Sequence, residues 1–259
     1  MWLEHRYGPQ VAICNSPLAH SWLSELCSQE CRQPRLNQLM HLLYTHLLSM
    51  VIEQEFPVVT IKQQTRMASQ HPNHAQITTQ VIRHHTRAIT VNLARAGTFP
   101  SHICYELLNQ TLDPSLVRQD HIFAARTANA QHQVTGTDLG AHKIGGDKEG
   151  AIVIFPDPMG ATGHTLQAAL DHYLNHIEGT ALKFIAAHLI VTPEYLKRIT
   201  VTYPQVKIYA YRVDRGLSHP SILAKTPGED WEQEKGLNDY GYIVPGAGGL
   251  GELLNNSPI

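Results

Sequence analysis

Residues Ala151-Ile152-Val153-Ile154-Phe155 form an unbroken apolar run. A strand that short and uniformly apolar is covered on both faces, as in parallel sheets flanked by helices. The residues after the run narrow the choice further. Phe155-Pro156 leads into Asp157, then into the small or hydroxylated residues Gly160, Ala161, Thr162, Gly163 and Thr165, then into a helix predicted over 164–177. Open parallel sheets take ligands outside the carboxyl ends of their strands. The loop's backbone N–H groups, its threonine hydroxyls and the helix N-terminus together suit a phosphate. A carboxylate just ahead of such a loop suits ribose hydroxyls, or positive charge developing on a sugar. The loop lacks the G-K-[ST] ending of a Walker A motif.

The rest of the chain fits that frame. Leu36, Leu39, Met40, Leu43, Leu47 and Met50 recur at helical spacing and predict a helix over 35–52. Strands are expected at 56–61, 88–93, 121–126, 182–191 and 206–213, and helices at 99–110 and 193–199. This alternation predicts an α/β fold with a parallel sheet. The polar stretch 63–80 is expected as a loop plus part of a helix, and 127–148 as a long loop or projecting arm. The stretch 218–239 holds Pro220, Pro227, Gly228, Gly236 and five acids, and is expected as an exposed loop.

Charge and composition exclude several classes. Lys plus Arg is 20 and Asp plus Glu is 22, a formal net charge of −2, which argues against a nucleic-acid partner. No apolar run approaches the ~18 residues of a membrane span. Met1 to Pro9 lack the apolar core of a signal peptide, so a soluble, cytoplasmic chain is expected. Four cysteines are too few for a disulfide scaffold; Cys27 and Cys31, spaced to share a helix face, are expected as reduced thiols. The 17 histidines are scattered with no H-E-x-x-H, and no residue is assigned as a metal ligand. Gly246-Ala247-Gly248-Gly249-Leu250-Gly251 spells G-x-G-x-x-G, but the eight residues after it cannot complete a βαβ unit, so a dinucleotide site is excluded.

A series of motifs, in order along nearly the whole chain, resembles the uracil phosphoribosyltransferase family. Ser16-Pro17-Leu18 with the 35–52 helix is similar to the family's N-terminal H-P-L segment and first helices. Leu93-Ala94-Arg95-Ala96-Gly97 resembles its L-R-A-G turn, and Ala125-Arg126 its Y-R before a β-arm. Asp157-Pro158-Met159 and Ala161-Thr162-Gly163 match its phosphoribosyl loop. Val191 to Glu194 and Tyr203 to Tyr209 resemble A-P-E-G and H-P-D-V-x-I-Y. Asp214 to Leu217 resembles D-x-G-L, and Gly241 to Gly246 matches G-Y-I-V-P-G.

The resemblance implies a type I phosphoribosyltransferase fold with helices on both faces of the sheet and a C-terminal hood. It implies one domain over 1–259, with an N-terminal helical segment at about 16–52 and a loop insertion at about 217–237. The implied reaction joins uracil to phosphoribosyl pyrophosphate (PRPP), giving UMP and pyrophosphate in pyrimidine salvage. Asp157, Arg95 and Arg126 would be catalytic, the arginines binding pyrophosphate through fork-like contacts. Met159, Gly160, Ala161, Thr162, Gly163, His164 and Thr165 would hold the 5′-phosphate. Tyr242, Ile243, Gly248, Gly249 and Leu250 would read uracil. Mg²⁺ would enter with PRPP, and a homodimer or larger homo-oligomer is implied.

Three departures from the family pattern stand out. Gly249 stands where the family continues P-G-x-G-D, with Glu252 matching the second family acid. Gly160 and His164 replace Leu and Gly of D-P-M-L-A-T-G-G. About twenty residues around 217–237 separate two motifs that adjoin in the family. These departures leave two alternatives: a phosphoribosyltransferase for another base, or a catalytically weak regulator that binds PRPP or a nucleotide.

Overall fold

The computed structural model describes residues 2–128 and 134–257, with only the backbone described for 125–128 and 134–138. In chain order the elements are β1 (Val11–Ile13), α1 (Pro17–Leu26), α2 (Arg35–Glu55), β2 (Val58–Gln64), β3 (Gln76–Ile82), β4 (Ala88–Ala94), α3 (Thr98–Thr111), β5 (Val117–Ala128), β6 (Val134–Lys143), β7 (Ile152–Pro156), β8 (Met159–Gly160), α4 (His164–His176), β9 (Lys183–Ala187), β10 (Ile190–Val191), α5 (Pro193–Thr202), β11 (Val206–Ala210), β12 (Arg212–Val213), α6 (Pro220–Leu223) and α7 (Leu250–Leu253).

The main sheet has the order β1-β11-β9-β7-β4-β5-β6. All its pairings are parallel except β5 with β6. The apolar run lies at its centre as β7, every residue buried. Its side chains alternate between two cores. Ile152 and Ile154 belong to the core that holds Leu43, Leu47 and Leu108 of α2 and α3. Val153 and Phe155 belong to the core that holds Leu166, Leu170 and Leu196 of α4 and α5. Helices therefore cover both faces, giving the expected α/β fold with a mostly parallel sheet. No helix of the described residues is long and apolar enough to cross a membrane.

Three strands break and resume at the same level. β7 gives way to β8 at Asp157-Pro158, β9 to β10 at His188-Leu189, and β11 to β12 at Tyr211. The resumed pieces form a second parallel sheet, β12-β10-β8. Cross-links hold the break open: Asp157 N–H donates to the Ala187 carbonyl (3.1 Å), and Leu189 and Ile190 N–H both donate to that of Pro158 (3.1 Å each). The strands expected at 182–191 and 206–213 are each two strands for this reason.

Several expectations are corrected. Residues 63–80 contain no α-helix: Val58–Gln64 and Gln76–Ile82 pair as an antiparallel ribbon around one 3₁₀ turn. Within 63–80 the strand residues are exposed and nearly all polar, so the alternation of apolar and polar residues that marks a strand is absent there. Within 127–148, Val134–Lys143 folds back on β5 as an arm; residues 129–133 lie outside the described residues. Helix α1 stops at Leu26, so Cys27 and Cys31 share no helix face; both are free thiols.

The stretch 218–239 is ordered and partly buried. Glu234 is 6% exposed. It takes hydrogen bonds from the Tyr7 hydroxyl (2.6 Å), Gly228 N–H (2.8 Å) and the Arg215 guanidinium (2.7 Å). Trp231 donates its indole N–H to the Pro193 carbonyl (2.9 Å) and meets Tyr7 edge-on at 5.0 Å. At the far end of the stretch, Glu194 accepts from Gly236 N–H (2.9 Å) and Leu237 N–H (3.2 Å). The segment is thus fastened to the N-terminus on one side and to α5 on the other, immediately before the C-terminal hood.

Candidate active site

A cleft of about 360 Å³ opens at the carboxyl ends of β4 and β7, within the size range of small-molecule sites. One wall is the end of β4 with Arg95 and Ala96. The second is the loop from Asp157 to Thr165. The third is the C-terminal hood, Gly241 to Ile243 and Gly248 to Glu252.

Asp157 sits where β7 stops pairing, and its carboxylate accepts from Met159 N–H at 3.3 Å, an Asx-type turn that starts the loop. Gly163 caps α4 with φ +83°, a conformation that favours glycine. Met159, Gly160, Ala161, Thr162, Gly163 and Thr165 line the cleft; His164 does not. The His164 ring lies against the Thr162 hydroxyl, its Nδ1 3.2 Å away. Burial, then the positive charge of Arg198, pushes its pKa down. Arg198 also donates to the Thr162 carbonyl (2.8 Å) and so braces the loop from α5.

Arg95 reaches across the cleft mouth to the hood. It donates to Glu252 Oε1 at 3.3 Å and to the Ser257 hydroxyl at 3.0 Å. Arg126 is on β5, paired with Thr137 on the arm, and its side chain lies outside the described residues. Tyr242, Ile243, Gly248, Gly249 and Leu250 all line the cleft, so the hood stands where uracil recognition was expected. Asp214 secures it: its carboxylate accepts from Gly246 N–H (2.7 Å), and Arg212 grips both Asp214 (3.0 Å) and the Gly246 carbonyl (3.2 Å).

The Gly249 departure has a steric counterpart. A Cβ at 249 would lie 2.2 Å from Glu252 Oε2, so the Glu252 carboxylate fills the space that a side chain at 249 would enter. The cleft floor holds two residues that motif reading did not single out, His188 and Tyr195. His188 was readable in principle, as a lone imidazole inside the apolar run Ala186 to Val191.

A sequence model described as "Uracil phosphoribosyltransferase" matches residues 13–229, well over half of the chain. The chain belongs to the uracil phosphoribosyltransferase family. It is 38% identical over 106 residues to the uracil phosphoribosyltransferase of Aquifex aeolicus, covering 41% of this chain and 40% of that one. It is 32% identical over 107 residues to that of Thermococcus kodakarensis, covering 41% and 37%. The matched segments thus span about two fifths of those relatives' length. The solved structure of the AQ2163 protein from Aquifex aeolicus superposes on this family member with a TM-score of 0.68, covering 94% of this chain and 97% of that one. At 21% identity the likeness is one of fold.

Away from the cleft, His84, His85 and Asp113 gather at the opposite, N-terminal edge of β4 and β5, with His85 Nδ1 3.3 Å from Asp113. Asp113 there also caps the 3₁₀ turn Pro114–Leu116 through Ser115 N–H (3.0 Å).

The buried histidines set an acid limit. Burial pushes the pKa of His188 down to about 4, and lowers those of His5, His46 and His172 as well. An unfolded histidine takes up a proton near pH 6.5, whereas folded His188 does not until about pH 4. Its contribution is therefore intact above pH 6.5 and is lost as pH falls toward 4, by up to about 1.4 kcal/mol per pH unit. Urea denaturation at pH 7 and pH 5 should show a smaller loss in His188→Asn than in the wild type; equal losses would contradict this.

Proposed function

We propose that this family member is a uracil phosphoribosyltransferase, transferring phosphoribosyl from PRPP to uracil. The observation that carries the reading is the meeting, around one cleft, of Asp157, the small-residue loop before α4, Arg95 and the C-terminal hood. Main-chain N–H groups of the loop and the start of α4 would take the 5′-phosphate. Arg95 would turn from Glu252 to the pyrophosphate, exchanging one carboxylate for a more highly charged partner. The bond from C1′ to the pyrophosphate oxygen breaks, the bond from C1′ to uracil N1 forms, and the N1 proton passes to solvent. Asp157, fixed at the sheet break, would hold the ribose hydroxyls and favour the cationic sugar of the transition state.

Asp157 and Glu252 are hard oxygen donors at the cleft, the kind Mg²⁺ accepts beside substrate phosphates, so the residues present fit a PRPP-borne Mg²⁺. When bound, it would neutralise charge on the departing pyrophosphate. Hood main-chain groups around Tyr242 and Gly248 would read the base.

In this reading Glu252 stands in for the family acid missing at 249. Glu252→Ala is expected to raise KM for PRPP about 10- to 100-fold, the scale of one charged hydrogen bond. Adding Gly249→Asp should then recover much of the loss, because the space beside 249 is empty. Gly249→Asp alone should give no gain, since it must displace the Glu252 carboxylate. A gain from the single substitution would contradict this role. A panel of pyrimidine and purine bases tests the substrate: uracil should give the highest kcat/KM, and another base in first place would overturn the choice of uracil.

A further inference from the structure

The floor of the cleft carries chemistry that the reaction above does not use. His188 lies in the break between β9 and β10, its backbone N–H donating to the Tyr209 carbonyl (2.8 Å). Its Nδ1 is 2.5 Å from the Asp157 carbonyl oxygen, and its Nε2 is 2.5 Å from the Tyr195 hydroxyl. A carbonyl oxygen only accepts, so Nδ1 carries the proton. Nε2 is then the acceptor, and the Tyr195 O–H donates to it. Two contacts thus select one tautomer of a neutral ring. Both side chains are 1% exposed, and their rings stand edge-to-face with centroids 4.7 Å apart.

Tyr195 also meets the loop directly. A Cβ at Gly160 would lie 3.2 Å from two ring carbons of Tyr195 and 2.9 Å from Val191 Cγ1. A Cβ at Gly163 would lie 3.4 Å from the same ring. Tyr195 is itself seated at the start of α5, where Thr192 caps it through Tyr195 N–H (3.0 Å) and donates its hydroxyl to the Ala161 carbonyl (2.7 Å). One connected pair therefore grips the loop at both ends: His188 at the carbonyl of Asp157, and the Tyr195 ring at Gly160 and Gly163.

We propose that His188 and Tyr195 are positioning residues of the phosphoribosyl site, and that Gly160 is the small partner that lets the Tyr195 ring reach the loop. The proposal rests on the phosphoribosyltransferase reading. It also accounts for Gly160, where the family motif has Leu: the volume given up in the loop is taken by an aromatic ring from α5. Through these contacts His188 sets the backbone, and hence the carboxylate direction, of Asp157. Tyr195 sets the curvature of the phosphate loop.

The test is calorimetric binding of Mg²⁺–PRPP together with steady-state kinetics on variants shown to be folded by their melting curves. His188→Leu removes both hydrogen bonds and should weaken PRPP binding on the order of 10- to 100-fold, as misplacement of reacting groups does, with a much smaller change in KM for uracil. His188→Asn keeps an N–H for the Asp157 carbonyl and should restore most of the loss. Gly160→Leu, which drives a side chain into both the Tyr195 ring and Val191, should abolish PRPP binding. PRPP binding within twofold of wild type in folded His188→Leu would overturn the proposal. So would a folded Gly160→Leu protein that binds PRPP within twofold of wild type. Failure of the wild type to bind PRPP would instead remove the functional reading on which the proposal stands.

Discussion

Replacing Asp157 by Asn is expected to lower kcat/KM for PRPP at least ~100-fold, the scale of losing one preorganised electrostatic stabiliser. The substitution keeps the size of the side chain and its acceptor for Met159 N–H, so the turn that starts the loop survives. In the proposed reaction it would remove the negative charge that faces a sugar becoming cationic as pyrophosphate leaves. The loss should fall mainly on kcat, because that charge matters most in the transition state. Arg95→Ala should cost a similar factor by a different route. Arg95 supplies the positive end of the cleft and is held at its mouth by Glu252 and Ser257. Its removal should therefore raise KM for PRPP as well as lower kcat. Steady-state kinetics with PRPP as the varied substrate separates the two patterns, and near wild-type rates in either variant would contradict the assigned roles.

The second large effect is on stability. Glu234→Ala is expected to destabilise the protein by about 3–5 kcal/mol, because it leaves the Arg215 guanidinium buried without its carboxylate. The pair is closely enclosed, with side chains 0% (Glu234) and 11% (Arg215) exposed. The same change strips acceptors from Tyr7 and Gly228, so the 218–239 segment loses its tie to the N-terminus. That segment runs through Gly236 and Leu237 into the hood, and the hood should loosen with it. Tyr7→Phe removes one hydrogen bond and should cost only about 1 kcal/mol. Chemical denaturation of the three proteins checks the order, and a loss below about 1 kcal/mol for Glu234→Ala would show that the network does not fasten the segment.

The parts of the fold that could be read from sequence are those whose burial leaves a local signature. β7 is covered on both faces, and its residues say so without interruption. α2 turns Leu36, Leu39, Met40, Leu43 and Leu47 toward one core, and its spacing shows it. The Gln63-Gln64 end of β2 and most of β3 leave no such mark, because they are exposed and owe their form to cross-strand pairing. The 218–239 segment misled for the opposite reason. Its acids read as solvated, yet Glu234 is neutralised by Arg215 and bonded to Tyr7, 227 positions away in sequence. The cleft was legible at Asp157 and the loop because a carboxylate followed by small residues in a row is a local pattern, and those residues line the cleft. His188 meets the Asp157 carbonyl and Tyr195 packs over Gly160 and Gly163, and no spacing rule encodes those contacts with distant backbone.

If one cleft joins PRPP to uracil, incubating the full chain with Mg²⁺, PRPP and uracil should give UMP and pyrophosphate in equal amounts. The rate should scale with enzyme and collapse in Asp157→Asn. PRPP binding without UMP at high enzyme concentration, or UMP formation that survives Asp157→Asn unchanged, would contradict that reading.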